Sequence, residues 1–200
     1  MINARDLVGR RVLAARRAEK WVSGVSARSR AEESLKRLGV ALCDDVARHS
    51  GRTLAPMAPP RPPVITSAYD LIELPRAELL TLCGQLRVSA PRELRARALQ
   101  LCDVDAVLAG LAVSYARVND VAVVASLVAV GHRAGVSAGA MREAESYLLD
   151  QQHDDGYFGL LAAERALVGV CEIRPALLRL TVDVVWAFAE AQLAGQTTDG

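Results

Sequence analysis

Residues 147–159 read Tyr147-Leu148-Leu149-Asp150-Gln151-Gln152-His153-Asp154-Asp155-Gly156-Tyr157-Phe158-Gly159. Upstream of this stretch, Met141, Ala144 and Leu148 recur at helical spacing, so the segment leading into it has one apolar face ready for burial. Asp154-Asp155-Gly156 is turn chemistry: aspartates bond their own backbone, and glycine reaches φ > 0 without a Cβ penalty. Gly156 therefore predicts a tight corner that stops the helix. Phe158, two residues later, predicts an apolar anchor for the returning chain.

The same grammar extends outward in both directions. The segment 3–22 is helical, with Asn3 placed to cap it and Asp6 three residues later. A second helix starts near Ser29, whose Glu32 completes a capping-box pattern, and its Leu35, Leu38, Leu42 and Val46 share one stripe. A break at Ser23-Gly24-Val25-Ser26 folds these two into a helical hairpin over 1–53. Five prolines within 55–63 exclude helix interior and central strand, which predicts a stiff, extended linker over 54–66.

Beyond the linker, Pro75 heads a helix carrying Leu79, Leu80, Cys83 and Leu86, and Pro91 heads another reaching about residue 101. The segment 103–116 carries Val107, Leu108, Leu111 and Ala112. Asn119 is placed to cap a Val-Ala helix that ends near Gly135, and Ser137 one that ends near Gln152. The valines of 121–130 would also suit a strand, but the length, the alanines and the cap favour helix. Over 175–194 only Arg179, Asp183, Trp186 and Glu190 interrupt an apolar surface, so this last helix is expected to be largely buried. Short connections imply antiparallel neighbours. The predicted fold is all-α, a stack of antiparallel helical hairpins with no sheet: a hairpin at 1–53, a larger helical domain at 67–194 and a flexible tail at 195–200.

Composition agrees. Aromatic residues make up only 4% of the chain, and Ala, Leu and Val carry most of its apolar mass, the palette of packed helices. The net charge of +1 hides an asymmetry: residues 1–53 hold 12 basic and 6 acidic side chains, the remainder 12 and 17. Opposed halves of this kind attract each other, or leave the basic half for an anionic partner. Cys43, Cys83, Cys102 and Cys171 stand far apart with no histidine nearby, so they read as small buried hydrophobes in a reducing compartment, with no metal site. The amino terminus does not read as a signal peptide, and the apolar run 121–131 is too short for a bilayer, which takes about 20 residues. The expectation is a cytoplasmic protein with no membrane contact. Lys20 and Lys36 are the only lysines among 24 basic residues, the bias of a GC-rich bacterial genome.

Gln152, Gly156 and Phe158 resemble the end-of-helix repeat of the terpenoid-cyclase and protein-prenyltransferase α/α toroids, in which Gln, three residues, Gly, one residue and Trp recur; Phe158 stands where the family usually has Trp. The resemblance implies a toroid-like α/α arrangement of the hairpins, and a structural glutamine that ties neighbouring helices together. It does not bring the family's chemistry with it. The nearest string to the cyclases' Asp-x-Asp-Asp element is Asp103-Val104-Asp105-Ala106, which lacks the last acid. Counterparts of the prenyltransferase zinc ligands and of a diphosphate–magnesium box are absent.

Two local constellations remain. His153, Asp154 and Asp155 lie together with Tyr157 beside them, and adjacent carboxylates repel, so burial would poise one for acid–base work; Asp-Asp-Gly is equally ordinary turn chemistry. Residues 79–97 resemble a helix-turn-helix, with Cys83 in the small-residue slot, Leu86 in the packing slot, Val88-Ser89 at the turn, and Arg92, Arg95 and Arg97 free to meet nucleic acid. Against this, Arg87 replaces the usual turn glycine and the surrounding domain is net acidic. His132-Arg133 reads as a basic helix end complementing the dipole. The leading expectation is a non-catalytic binding or accessory protein of a bacterial, natural-product biosynthetic pathway, without cofactor or metal, engaging a protein or peptide partner or its own copy. The alternatives are a cofactor-independent acid–base enzyme of cyclase, isomerase or epimerase type, and a DNA-binding regulator.

Overall fold

A computed structural model describes residues 4–48, 67–98, 100–159 and 170–197, and every regular element among them is an α-helix. In chain order these are α1 (Ala4–Gly24), α2 (Arg30–Arg48), α3 (Asp70–Glu73), α4 (Arg76–Arg87), α5 (Pro91–Ala98), α6 (Val104–Arg117), α7 (Val121–Ala134), α8 (Ala138–Asp150) and α9 (Val170–Thr197). The proline-rich linker 54–66 and the Asn3 cap lie outside the described residues. No strand forms among them; Gln152 and Phe158 make a single antiparallel bridge at the corner.

Helix starts follow the capping chemistry with two adjustments. The Ser29 hydroxyl accepts from the Glu32 N–H at 3.1 Å, but the Glu32 carboxylate accepts from the N–H of Arg28 at 2.6 Å, one residue earlier than a standard capping box. Ser137 caps α8 as expected, accepting from the Ala140 N–H at 3.3 Å. Asn119 does not cap α7. It takes the left-handed conformation (φ 61°) that turns the chain out of α6, which asparagine tolerates, and its side-chain oxygen accepts from the Tyr147 hydroxyl at 2.8 Å. The cap falls to Asp120, whose carboxylate accepts from the Val123 N–H at 3.3 Å and also holds Arg76. α9 begins before Pro175 and carries it inside the helix; it runs on to Thr197, into the stretch expected to be tail.

The valine-rich segment is the centre of the molecule. In α7 every residue except Ala122 is buried, and α4, α5, α6, α8 and α9 all pack around it. A strand could not supply this surface, because its side chains alternate between only two faces. α2 packs against both α1 and α9, and α1 reaches across to α8. The buried apolar side chains of α2 (Leu42, Cys43 and Val46) belong to the same continuous core as Leu127 of α7 and Phe188 of α9. Part of the basic charge of the first 53 residues is spent internally: Arg10 pairs with Asp150, and Arg11 lies 3.3 Å from Glu145.

Cys43 and Cys83 are buried, and burial pushes both thiols up to about 12. Cys102 departs from the expectation: it is exposed in the turn ahead of α6. The side chain of Cys171 lies outside the described residues.

At the corner, Gln152 donates to the backbone carbonyl of Ala14 in α1 at 2.8 Å and to that of Gly156 at 3.0 Å. The His153 N–H donates to the Tyr157 carbonyl at 2.9 Å, closing the turn. Gly156 has φ +102°, and a Cβ there would overlap the backbone carbonyl of Arg17. Gly156→Ala is therefore expected to cost about 3 kcal/mol, combining left-handed strain with a backbone collision that no rotamer relieves. Urea unfolding would read this as a lower midpoint at unchanged slope, and a midpoint equal to wild type would contradict it.

Candidate functional site

The corner and α1 together line a half-open cavity of about 600 Å³, within the size range of small-molecule sites. Arg17, Lys20, Trp21 and Gly24 form its α1 wall, at the i, i+3, i+4, i+7 spacing that puts four residues on one helix face. Asp154, Asp155 and Tyr157 form the facing wall from the corner, and Arg174 and Leu177 close it from the first turns of α9. The pairing of Gln152 with Ala14 fixes the distance between the two main walls.

The aromatic groups are held in a layered set. Tyr157 is buried, its ring stacked on His153 at 4.5 Å between centroids, and the Trp21 ring tilts against it at 5.4 Å. Phe158 points the other way, into the core, fully enclosed, with its ring edge-on to Phe188 at 5.9 Å and its N–H donating to the Thr181 hydroxyl at 3.1 Å. The alternation of Tyr157 and Phe158 across the bridge gives the corner one face toward the cavity and one toward the core.

The sequence-predicted site residues thus come together in part. Asp154, Asp155 and Tyr157 border one cavity, with His153 behind Tyr157; both aspartates are exposed at its edge. The basic half of the site, Arg17, Lys20 and Arg174, was not anticipated. The signal was present in the first helix, where one of two tryptophans in the chain sits beside two cations on one face. Among the described residues, none of these three cations is in an ion pair.

The helix-turn-helix candidate does form two helices, α4 and α5, with Cys83 and Leu86 buried in the core. Arg92 is exposed, but Arg95 is half-buried with its stem laid over Gly135, whose φ of +90° ends α7. The side chain of Arg97 lies outside the described residues.

His132 and Arg133 are not a solvated basic helix end. Both are buried, 1% and 3% exposed. The His132 Nε2 lies 2.7 Å from Glu145, which also faces Arg11. Arg133 donates to the Ser89 carbonyl at 2.9 Å and to Glu190 at 2.6 Å, and Glu190 accepts in turn from the Trp186 indole at 3.1 Å. Arg87 lies over the Trp186 ring at 4.1 Å and pairs with Asp183 at 2.7 Å. The polar stripe of α9 is thereby consumed by α4 and α7, with only Arg179 left exposed.

Among the described residues no cluster of His, Cys, Asp and Glu could hold a metal ion, and no helix is long and apolar enough to cross a membrane. The chain matches no protein-family model, and no curated protein or solved structure is significantly similar to it.

Proposed function

We propose that this is a non-catalytic binding protein whose ligand occupies the cavity between α1 and the corner, acting as an accessory component of a bacterial biosynthetic pathway. One observation carries the reading: four residues of α1 at helical spacing face the acidic corner across about 600 Å³ of space, and the two cations among them have no ion-pair partner among the described residues. Structural ion pairs consume charge elsewhere in this chain, as at Arg133 and Glu190. Cations left open beside a tryptophan are suited to a ligand instead. The pathway assignment rests on the resemblance of Gln152, Gly156 and Phe158 to the toroid repeat. In support of the resemblance, Gln152 ties α1 to the corner, the role it gives the repeat's glutamine.

A second reading is favoured by one specific feature. Asp154 and Asp155 border the same cavity as Tyr157, so a bound molecule would meet two exposed carboxylates, groups able to exchange protons with it. The regulator reading has less support, since Arg95 is taken up in covering Gly135.

The test is recovery of the ligand. Protein purified from a bacterial producer and denatured should release a small molecule or peptide in near-stoichiometric amount, detected by mass spectrometry, and Trp21→Ala should release little of it while keeping its helical circular dichroism. Equal recovery from Trp21→Ala, or nothing from the wild type, would overturn the cavity as the site. Incubating the recovered ligand with fresh protein separates the two readings: an unchanged ligand supports binding, and conversion abolished by Asp154→Asn or Asp155→Asn supports the enzyme.

A further inference from the structure

The charge on the cavity walls is sorted by element. α1 contributes only cations, Arg17 and Lys20, while the corner contributes only carboxylates, Asp154 and Asp155. Between them lies Trp21, half-buried and backed by the Tyr157–His153 stack. A purely anionic ligand would meet Arg17 and Lys20 but also Asp154, and a purely cationic one the reverse; like charges brought together cost binding. A neutral ligand would leave both walls unused. A molecule carrying both charges satisfies both walls at once, and a flat apolar body between the charges would lie on the indole.

We propose, resting on the binding reading above, that the cavity takes a zwitterionic ligand with an aromatic body, of short-peptide size, its carboxylate against Arg17 and Lys20 and its ammonium against Asp154. Arg174 stands on the third wall, where it adds to the positive side of the field across the cavity. The site selects free termini. A peptide blocked at either end loses one charge-assisted contact and leaves the corresponding wall without its counter-charge.

Calorimetric titration of the 200-residue chain with the dipeptide phenylalanyl-alanine, its N-acetylated form, its C-terminal amide and inorganic phosphate tests the inference. The free dipeptide should bind, and each blocked form should bind about tenfold or more weakly, the loss expected for one charge-assisted hydrogen bond. The Arg17→Ala/Lys20→Ala double variant should no longer distinguish acid from amide, while still distinguishing free from acetylated amine. Asp154→Asn should show the opposite pattern. All three side chains are exposed, so both variants are expected to melt like wild type, which circular dichroism would check.

Blocked forms binding as tightly as the free dipeptide would overturn the ligand class, as would binding of phosphate alone or of no probe. These failures differ from failure of the binding reading. A ligand recovered from purified protein that lacks one of the two charges leaves the cavity as the site and removes only the zwitterion; recovery of nothing removes both.

Discussion

Glu145→Ala is expected to lower the stability of the folded chain by about 3–5 kcal/mol, the range for removing one partner from a buried ion pair. The Glu145 side chain is 3% exposed and sits between Arg11, at 3.3 Å, and His132, at 2.7 Å. Burial lowers the Arg11 pKa below its ordinary value, and the neighbouring Glu145 carboxylate opposes that shift. Without the carboxylate, a guanidinium drawn from α1 is left in the interior with nothing to balance it, beside an imidazole that has lost its partner. Urea unfolding by circular dichroism would measure the loss. A destabilisation under 1 kcal/mol would mean that water reaches Arg11. Replacing all three residues together, Arg11→Met, His132→Leu and Glu145→Leu, should recover much of the loss, because an apolar trio of similar volume carries no desolvation cost.

Phe158→Ala is expected to cost a similar amount, about 3–5 kcal/mol, by a different route. Phe158 is fully enclosed, its ring edge-on to Phe188. Truncation leaves a void that the surrounding helices fill only in part, since α7, α8 and α9 are already fixed on one another by their own buried faces. The corner would also lose the anchor that holds Tyr157 on the opposite face of the same two-residue step. Phe158→Ala should therefore weaken ligand binding at the cavity as well as stability, which a purely local loss of packing would not do. Thermal melting and titration on the same samples would report the two effects, and unchanged binding would show that Tyr157 is held by His153 and Trp21 without help from the core.

Periodic features were legible before any coordinates. Helical spacing placed α2, α4, α6 and α8 on their observed faces, and the turn chemistry of Asp154-Asp155-Gly156 gave the corner its positive φ. Local features carry their cause within a few residues, so a sequence displays them. Asn119 shows the limit of this: two adjacent residues, Asn119 and Asp120, could each cap α7, and the left-handed turn out of α6 decided between them.

The buried charges were harder to read because their partners are distant in sequence. Arg133 meets Glu190 across 57 positions, and Arg87 meets Asp183 across 96. A clue existed in α8, where Glu145 shares the apolar face of Met141, Ala144 and Leu148 and so had to be buried with a partner. The same distance hid half of the cavity. Asp154, Asp155 and Tyr157 are neighbours in the chain, but Arg17, Lys20 and Trp21 join them only because α1 folds back onto the corner.

That return of α1 orders the events of synthesis. Gln152 grips the Ala14 carbonyl across 138 positions, and Arg10 meets Asp150 across 140. α1 thus finds this seat only after the corner, 138 positions further along, has been made. Until then its apolar residues, Ala14, Ala15, Ala18 and Val22, have α2 as their nearest shelter. Contacts of such long range are slow to close and leave surface open to association in the meantime. For this chain, the helix that forms one wall of the cavity is also one that waits for a distant partner to be made.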